Sequence, residues 1–572
     1  MRAKNFFIST IKNKIINKKN ISYKLMIKSG IIKKLSSGIY IYMPIGLRII
    51  KKIKKIIRKE MQKSGAHELL MPIVQPINLW QKSGRLEKLK SEIIKFKDRN
   101  NKNYILQPTS EEVITYIVKK EIQSYKQLPI NFFHIQTKFR DEIRPKFGLI
   151  RSREFLMKDA YSFDKNKKGL LKSYNNMYNT YIRIFNKINL KFKIVSADNG
   201  NMGGEISHEF HAISNIGETF LTYCKNSNFL SKLEFTKILY KNKIRKIPKK
   251  KIKKISILDK NNKKKIINKF KKKFLKCIPI IIKKNIKKKN MWLIIIKSNH
   301  ELNKKKIHKI FKLQNFRIAN KKEIFDWFGV SKKFIGPIKT KKPIKILINK
   351  DIYSMRDFIC GANEENMFFT GVNWERDIKD KLFIKDIRNA INGDLSPDKQ
   401  GILKICRGIE IGHIFQIGKF YSKLINSMYI NKLGKKKFFH MGCYGIGITR
   451  ILSVIIEQNF DEKGIIWPNL ISPFNLVICP INFHNNKQIK FYTKKIYKKL
   501  LLLNIDVILD DRNIKIGSIL SDWELIGIPH FIIIGNNYIK YNKIDYKNRL
   551  NLKKINLIKK EKIINFLKKK II

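Results

Sequence analysis

KFRDEIRPKFGLIRSREFLMKDAYSF, residues 138–163, reads as two antiparallel strands joined by a loop that contains Pro145 and Gly148. Arg140 and Glu142 alternate outward at the end of the first strand, and Arg151, Arg153 and Phe155 fall on the return strand. A period of two places them on one face. A guanidinium can hold a phosphate oxygen with two donors, a carboxylate can accept from an exocyclic amine, and an aromatic ring can cover a purine. Together these groups suit ATP. A single Arg–Glu pair is more often a surface salt bridge, so the reading needs a second element.

MGCYGIGITR, residues 441–450, supplies one. Gly442, Gly445 and Gly447 remove side chains where a strand hands over to a helix beginning near Ile448, so a ligand can approach the backbone. Arg450 then lies on the first helical turn. A glycine-rich turn is weak evidence alone and much stronger beside an arginine-rich hairpin.

Outward from these segments, Leu47, Ile50, Ile53, Ile57 and Met61 recur every three or four residues, which is one face of a helix. A turn at Ser64 and Gly65 follows, then an extended piece at residues 71–76 bounded by prolines. Residues 241–290 carry 23 Lys/Arg against a single acid, Asp259, which marks a separate domain. Apolar runs at 291–296 and 344–348 indicate that it folds. The C-terminal part alternates strands (476–478, 507–509, 531–534) with a helical stripe at Ile489, Tyr492, Ile496, Leu500 and Leu503 and a helix across Trp523. That pattern predicts a small α/β domain with a mostly parallel sheet.

The 572 residues exclude one small binding module, and 43% hydrophobic with 11% aromatic residues excludes wholesale disorder. A net charge of +80 points to a polyanion, although lysine and isoleucine pervade every segment, as in an A- and T-rich genome, and part of that charge is plain solvated lysine. The six cysteines form no CxxC pair, so neither a zinc ribbon nor a disulfide framework is expected, and a reducing cytoplasm fits. No apolar run reaches the roughly 18 residues needed to span a bilayer. The first acidic residue is Glu60, but residues 23–46 read as folded body and argue against a transit peptide.

QPTSEE (107–112), TKFRDEIRPKFGLIRSREFLMKDAYSF (137–163), GIEIGHIFQIG (408–418), MGCYGIGITR, GIIWP (464–468) and ELIGIP (524–529) resemble the bacterial-type prolyl-tRNA synthetases, class II enzymes with an editing-type insertion. The resemblance runs from about residue 1 to the C-terminus. It implies an α+β protein: an antiparallel-sheet catalytic domain (1–223 and 407–470), an inserted α+β editing-like domain (224–406) and a C-terminal α/β anticodon-binding domain (471–572). The implied activity is ATP-dependent attachment of proline to tRNA through prolyl-adenylate, by a cytoplasmic homodimer.

By the same resemblance, Arg140 holds the α-phosphate, Arg151 and Arg450 the outer phosphates, Glu142 the adenine amine and Phe155 the adenine face, with Gln416 a further ATP-site candidate. Thr109 and Glu111 receive proline's ammonium. Met157, Asp159, Tyr161, His413 and Cys443 shape its pocket, Cys443 as a wall rather than a nucleophile. Arg144 meets the tRNA acceptor end. Asp510, Asp511, Arg512 and Glu524 stand at loop or helix positions of the domain that reads the anticodon, each a surface charge by default. Magnesium bridges phosphates through their oxygens and water, so no dedicated metal ligands are expected. The editing unit keeps NHELN (299–303), Gly336-Pro337, Asp357-Phe358 and Gly361-Ala362-Asn363, and Lys276 stands where the family has a lysine. Asn349 replaces an expected aspartate and Phe368 an expected histidine, which predicts weak or absent editing of alanyl-tRNA. Two alternatives stay open. One is a tRNA-binding protein without catalysis; the other is a class II ligase for another amino acid, with threonine disfavoured because a Cys/His zinc site is missing.

Overall fold

Pro44 opens helix α1 (Pro44–Lys63) at a position where its missing N–H costs nothing, and the chain turns out of the helix through Ser64 and Gly65, whose φ is 81°. The stripe Ile50, Ile53, Ile57 and Met61 is buried as the spacing predicts, but Leu47 lies off it, 44% exposed. Ile45 and Ile49 complete the buried face instead. In this computed structural model the described residues are 1–11, 20–89, 91–197, 204, 206–240, 244–245, 247–256, 273–285, 288–311 and 316–571.

The chain folds as two units, residues 1–219 with 407–572, and residues 220–406. The first is built on a sheet whose strands are β1 (His67–Glu68), β2 (Ile130–Phe139), β3 (Glu154–Asp164), β4 (Phe192–Ser196), β5 (Ile206–Ile213), β6 (Leu403–Gly418) and β7 (His440–Gly447). They run side by side as β1-β2-β3-β7-β6-β5-β4, antiparallel except for the β1–β2 pair. The period-two alternation divides the sheet. Phe133, Ala160, Phe210, Ile414 and Tyr444 meet α1, α3 (Lys167–Lys187) and α4 (Ile448–Gln458) on one face. Tyr161, Phe163, Met441 and Cys443 meet α2 (Glu111–Glu121) on the other.

The 138–163 hairpin forms, with Lys138 opposite Phe155, but its strands are shorter at the loop end than the sequence suggests. β2 stops at Phe139, so Arg140 and Glu142 belong to the connection, and Arg151 and Arg153 precede β3. Arg140 and Arg153 still exchange a backbone hydrogen bond of 2.9 Å, which holds the loop ends together.

The apolar runs of the inserted unit become central strands (Lys288–Lys297 and Lys345–Asn349) of a five-stranded sheet over the core around Leu293, Ile295, Ile346 and Ile348. Residues 257–272 of its basic stretch lie outside the described residues. In the C-terminal region β8 (Leu476–Pro480), β9 (Val507–Leu509) and β10 (His530–Ile534) are parallel, with α5 (Lys487–Leu502) and α6 (Ile516–Ile526) between them. The sheet is not mostly parallel, however. Two more strands, β11 (Lys543–Asn548) and β12 (Asn551–Lys559), add an antiparallel hairpin, because a two-residue turn can join only antiparallel neighbours. β12 escapes the apolar pattern because it is an edge strand with no fully buried residue. Asp510 and Asp511 face inward: Asp510 accepts from Arg512 and from the Trp523 indole at 2.7 Å, and Asp511 accepts from the Lys4 backbone at 2.9 Å. Glu524 is also engaged, 3.4 Å from Lys547. Among the described residues no helix is long and apolar enough to cross a membrane.

His530, 3% exposed and bonded to Tyr546, is pushed down to about 4 by burial and by Lys570. The unfolded imidazole titrates near 6.5, so the folded state takes up fewer protons below that pH. The stability this site lends is full above pH 6.5 and is lost as pH falls toward 4, on the order of 2 kcal/mol by pH 5. Melting temperature measured from pH 7 to pH 5 should therefore fall less steeply for His530→Gln than for the parent, whatever the absolute values.

Candidate functional site

Register brings the site together. His413 of β6 pairs with Gly445 of β7, Gly445 with Asp159 of β3, and Asp159 with His134 of β2, one row across four strands. Two residues along, Met157 pairs with Gly447 and Gln136, and beyond it Phe155 faces Lys138. Above this floor opens a cavity of about 280 Å³. Its walls hold Thr109, Glu111, Arg140, Glu142, Arg151, Phe155, Met157, Asp159, His413, Cys443 and Arg450, eleven of the expected residues. Gly445 lines the cavity too, and a Cβ there would stand 2.5 Å from the Met157 methyl. Part of the space that glycine leaves is thus taken by packing rather than left for a ligand.

At one end lie the arginines. Arg140 sits 5.3 Å over the Phe155 ring and reaches the Pro108 carbonyl at 3.5 Å. Arg151 pairs with Glu142 at 2.6 Å and with Glu218 at 3.3 Å. Arg450 donates to the main-chain carbonyls of Ile150 (3.0 Å) and Glu410 (2.7 Å). Because Arg151 is 41% exposed, its pair with Glu142 is worth at most about 1 kcal/mol and opens readily.

At the other end lie carboxylates held by buried cations. Lys138, fully buried, stands 2.6 Å from Asp159 and donates to Gln107 and Ser110, each at 3.1 Å. Burial alone would raise the Asp159 carboxyl; Lys138 and His134 overcome it and hold the group well below the usual carboxylate range. Glu111 opens α2, at a helix N-terminus that favours negative charge. It accepts from Thr109 at 2.7 Å and from the Cys443 thiol at 3.1 Å. Burial and the neighbouring Glu111 and Asp159 push that thiol far up, which suits a wall and not a nucleophile.

Three expected residues lie off the cavity wall. Tyr161 is one layer beneath, bonded to Asp159 (3.4 Å) and to the Ser110 backbone (3.2 Å). Gln416 is buried on β6 between Ile206 and Gly442, and Arg144 is exposed at the hairpin loop. The sequence reading missed Arg85, Lys138, Ser152, Glu410 and Thr449. An arginine kept where lysine fills nearly every basic position signals a need for a planar guanidinium rather than an ammonium, and Arg85 shared that signal with Arg140, Arg151 and Arg450. It also missed a trio, Glu209, Glu410 and His413, whose ligand atoms lie within 4.8 Å of one another.

In the inserted unit, Asn349 is fully buried, accepting from the Ile387 backbone at 2.9 Å and from Tyr240 at 3.3 Å. Phe368 packs between Phe274 and Phe334, and Lys276 is exposed on its strand. None of the three lines that unit's cavity of about 710 Å³, whose polar groups include Lys297, His300, Asp351 and Arg388.

The chain matches the model of the tRNA synthetase class II core domain (G, H, P, S and T) over residues 94–459 and that of an anticodon binding domain over residues 475–570. The proline–tRNA ligase of Herminiimonas arsenicoxydans is 47% identical over 555 residues, which span 96% of this chain and 96% of that one. That of Janthinobacterium sp. (strain Marseille) matches to the same extent. Among solved structures, the prolyl-tRNA synthetase of Cryptosporidium parvum complexed with L-proline and AMP superimposes with a TM-score of 0.59 at 14% identity, covering 98% of this chain and 77% of that one. This last likeness concerns the fold.

Cys443 is 6% exposed, whereas Cys406 is the one cysteine of the six that is not buried. Alkylation of the native protein followed by peptide mapping should find Cys443 unmodified until denaturant is added. Labelling of Cys443 in the native state would contradict its burial.

Proposed function

The chain belongs to the bacterial-type prolyl-tRNA synthetases of class II, and on that premise we propose how its cavity joins proline to tRNA using ATP. The observation that carries the reading is that Arg140, Arg151 and Arg450 share one cavity with the Thr109–Glu111 pair. Glu142 and Phe155 take the adenine amine and face, Gln416 of β6 is a further ATP-site residue, and Arg151 and Arg450 take the outer phosphates. For this, the weak Arg151–Glu142 pair opens.

Arg140 holds the α-phosphate. The proline carboxylate attacks phosphorus, pyrophosphate departs, and Arg140 stabilises the charge that develops on the non-bridging oxygens. The terminal adenosine hydroxyl of tRNA then attacks the prolyl carbonyl and AMP leaves. Thr109 and Glu111 keep the ammonium in place through both steps, while Met157, Asp159, Tyr161, His413 and Cys443 enclose the ring. Magnesium, when bound, neutralises phosphate charge. The Glu209 and Glu410 carboxylates offer the oxygen ligands it prefers.

Residues 1–223 with 407–470 form the catalytic domain, 224–406 the editing-like domain and 471–572 the anticodon-binding domain. Arg144 meets the acceptor end, and the lysine excess adds salt-dependent attraction to RNA phosphates. The protein works in the cytoplasm as a homodimer; Leu47, Leu70 and Val74, exposed at 44%, 74% and 43% along residues 44–76, favour a partner there. Editing is weak or lost, since Asn349 spends its amide on structural bonds and Phe368 offers no proton-transfer group.

Pyrophosphate exchange into ATP should be strongest with proline, compared with alanine, cysteine, threonine and serine, and Arg140→Ala should lower kcat roughly 10²- to 10³-fold. Absence of exchange with every amino acid would instead favour the RNA-binding alternative. In a separate assay, alanyl-tRNA incubated with the enzyme should decay little faster than in buffer; rapid hydrolysis would establish editing.

A further inference from the structure

Asp159 has its own buried cation, Lys138. Glu111 and Glu112 do not. They share a single guanidinium, that of Arg85, whose Nη1 lies 3.0 Å from Glu111 Oε2 and 3.1 and 3.2 Å from the two oxygens of Glu112. All three residues are buried, Arg85 at 2% exposure and both glutamates at 0%. The guanidinium lies 5.0 Å from the Trp80 ring and 5.6 Å from that of Tyr421, so its place is set by packing as well as by charge. Ser83 donates to Glu112 at 2.8 Å.

Burial makes this arrangement costly to disturb: an ion pair broken away from water leaves an uncompensated charge, so Arg85 and Glu111 hold each other in place. A secondary ammonium arriving against Glu111 meets a carboxylate whose position is already set.

We propose that Arg85 is a positioning residue for the amino-acid substrate: by donating from one nitrogen, Nη1, to Glu111 and Glu112 together, it fixes the Glu111 carboxylate where the substrate ammonium meets it. The inference rests on the reading of Glu111 as the ammonium receiver. Glu112, itself held by Ser83, gives the same nitrogen a second anchor.

The experiment is pyrophosphate exchange with proline and ATP varied separately, on Arg85→Lys, Glu112→Gln and Glu111→Gln enzymes. Arg85→Lys keeps the charge and loses the planar guanidinium packed beside Trp80 and Tyr421; Glu112→Gln keeps the shape and removes the charge of the second anchor. Each should raise the KM for proline roughly 5- to 50-fold while the KM for ATP stays within about twofold, because only ammonium binding is weakened. Proline KM within twofold of the parent in both would overturn the proposal, as would ATP and proline KM rising together. If Arg85→Lys does not fold, the near-isosteric Glu112→Gln enzyme decides alone. Glu111→Gln separates the two readings: an unchanged proline KM there would discard Glu111 as receiver, whereas a raised one beside silent Arg85 and Glu112 variants would discard only the role given to Arg85.

Discussion

The antiparallel register of β2, β3, β7 and β6 is the constraint on which the rest depends. It sets His134, Asp159, Gly445 and His413 in one transverse row, from four segments far apart in sequence. A slip of one residue on any strand would turn its cavity-facing set into the helical layer. That slip is blocked by the opposite face, where Phe133, Ala160, Phe210, Ile414 and Tyr444 are fully buried against α3 and α4. The catalytic face is therefore held in position largely by the apolar face behind it.

Charge is distributed along this floor with a purpose set by desolvation. Arginines whose partners are exposed or main-chain groups, Arg151 and Arg450, stand where a polyanionic ligand can replace or join those partners. Carboxylates stand at the other end, each sealed by buried donors. Asp159 keeps its charge because Lys138 and His134 outweigh the cost of burial. A pocket made this way has arginines at one end and buried carboxylates at the other.

Much of the fold was legible in the sequence because strong periodicities carried it. The α1 stripe, the strands at 288–297 and 345–349, and the strand–helix alternation after residue 475 all form. Failures occurred where burial is partial. Leu47 fits the helical spacing yet is exposed, and β12 is an edge strand whose apolar residues are never fully covered, so the antiparallel half of the C-terminal sheet gave no signal. In the same way Arg140 and Arg151 read as strand residues although the strands stop short of them: alternation continues through a loop whose ends are hydrogen-bonded.

The sequence by itself determined the family, the residue types of the cavity and their grouping into motifs, because phosphate, purine and ammonium each require particular side-chain chemistry. It could not supply the partners of those residues. That Glu111 meets Cys443 across 332 positions, that Arg85 serves two glutamates, and that the DDR segment turns inward to Trp523 were decided by tertiary structure alone. The reason is physical: a residue's own chemistry is written in its side chain, whereas its charge state and contacts depend on which distant groups the packed sheet brings within hydrogen-bonding reach.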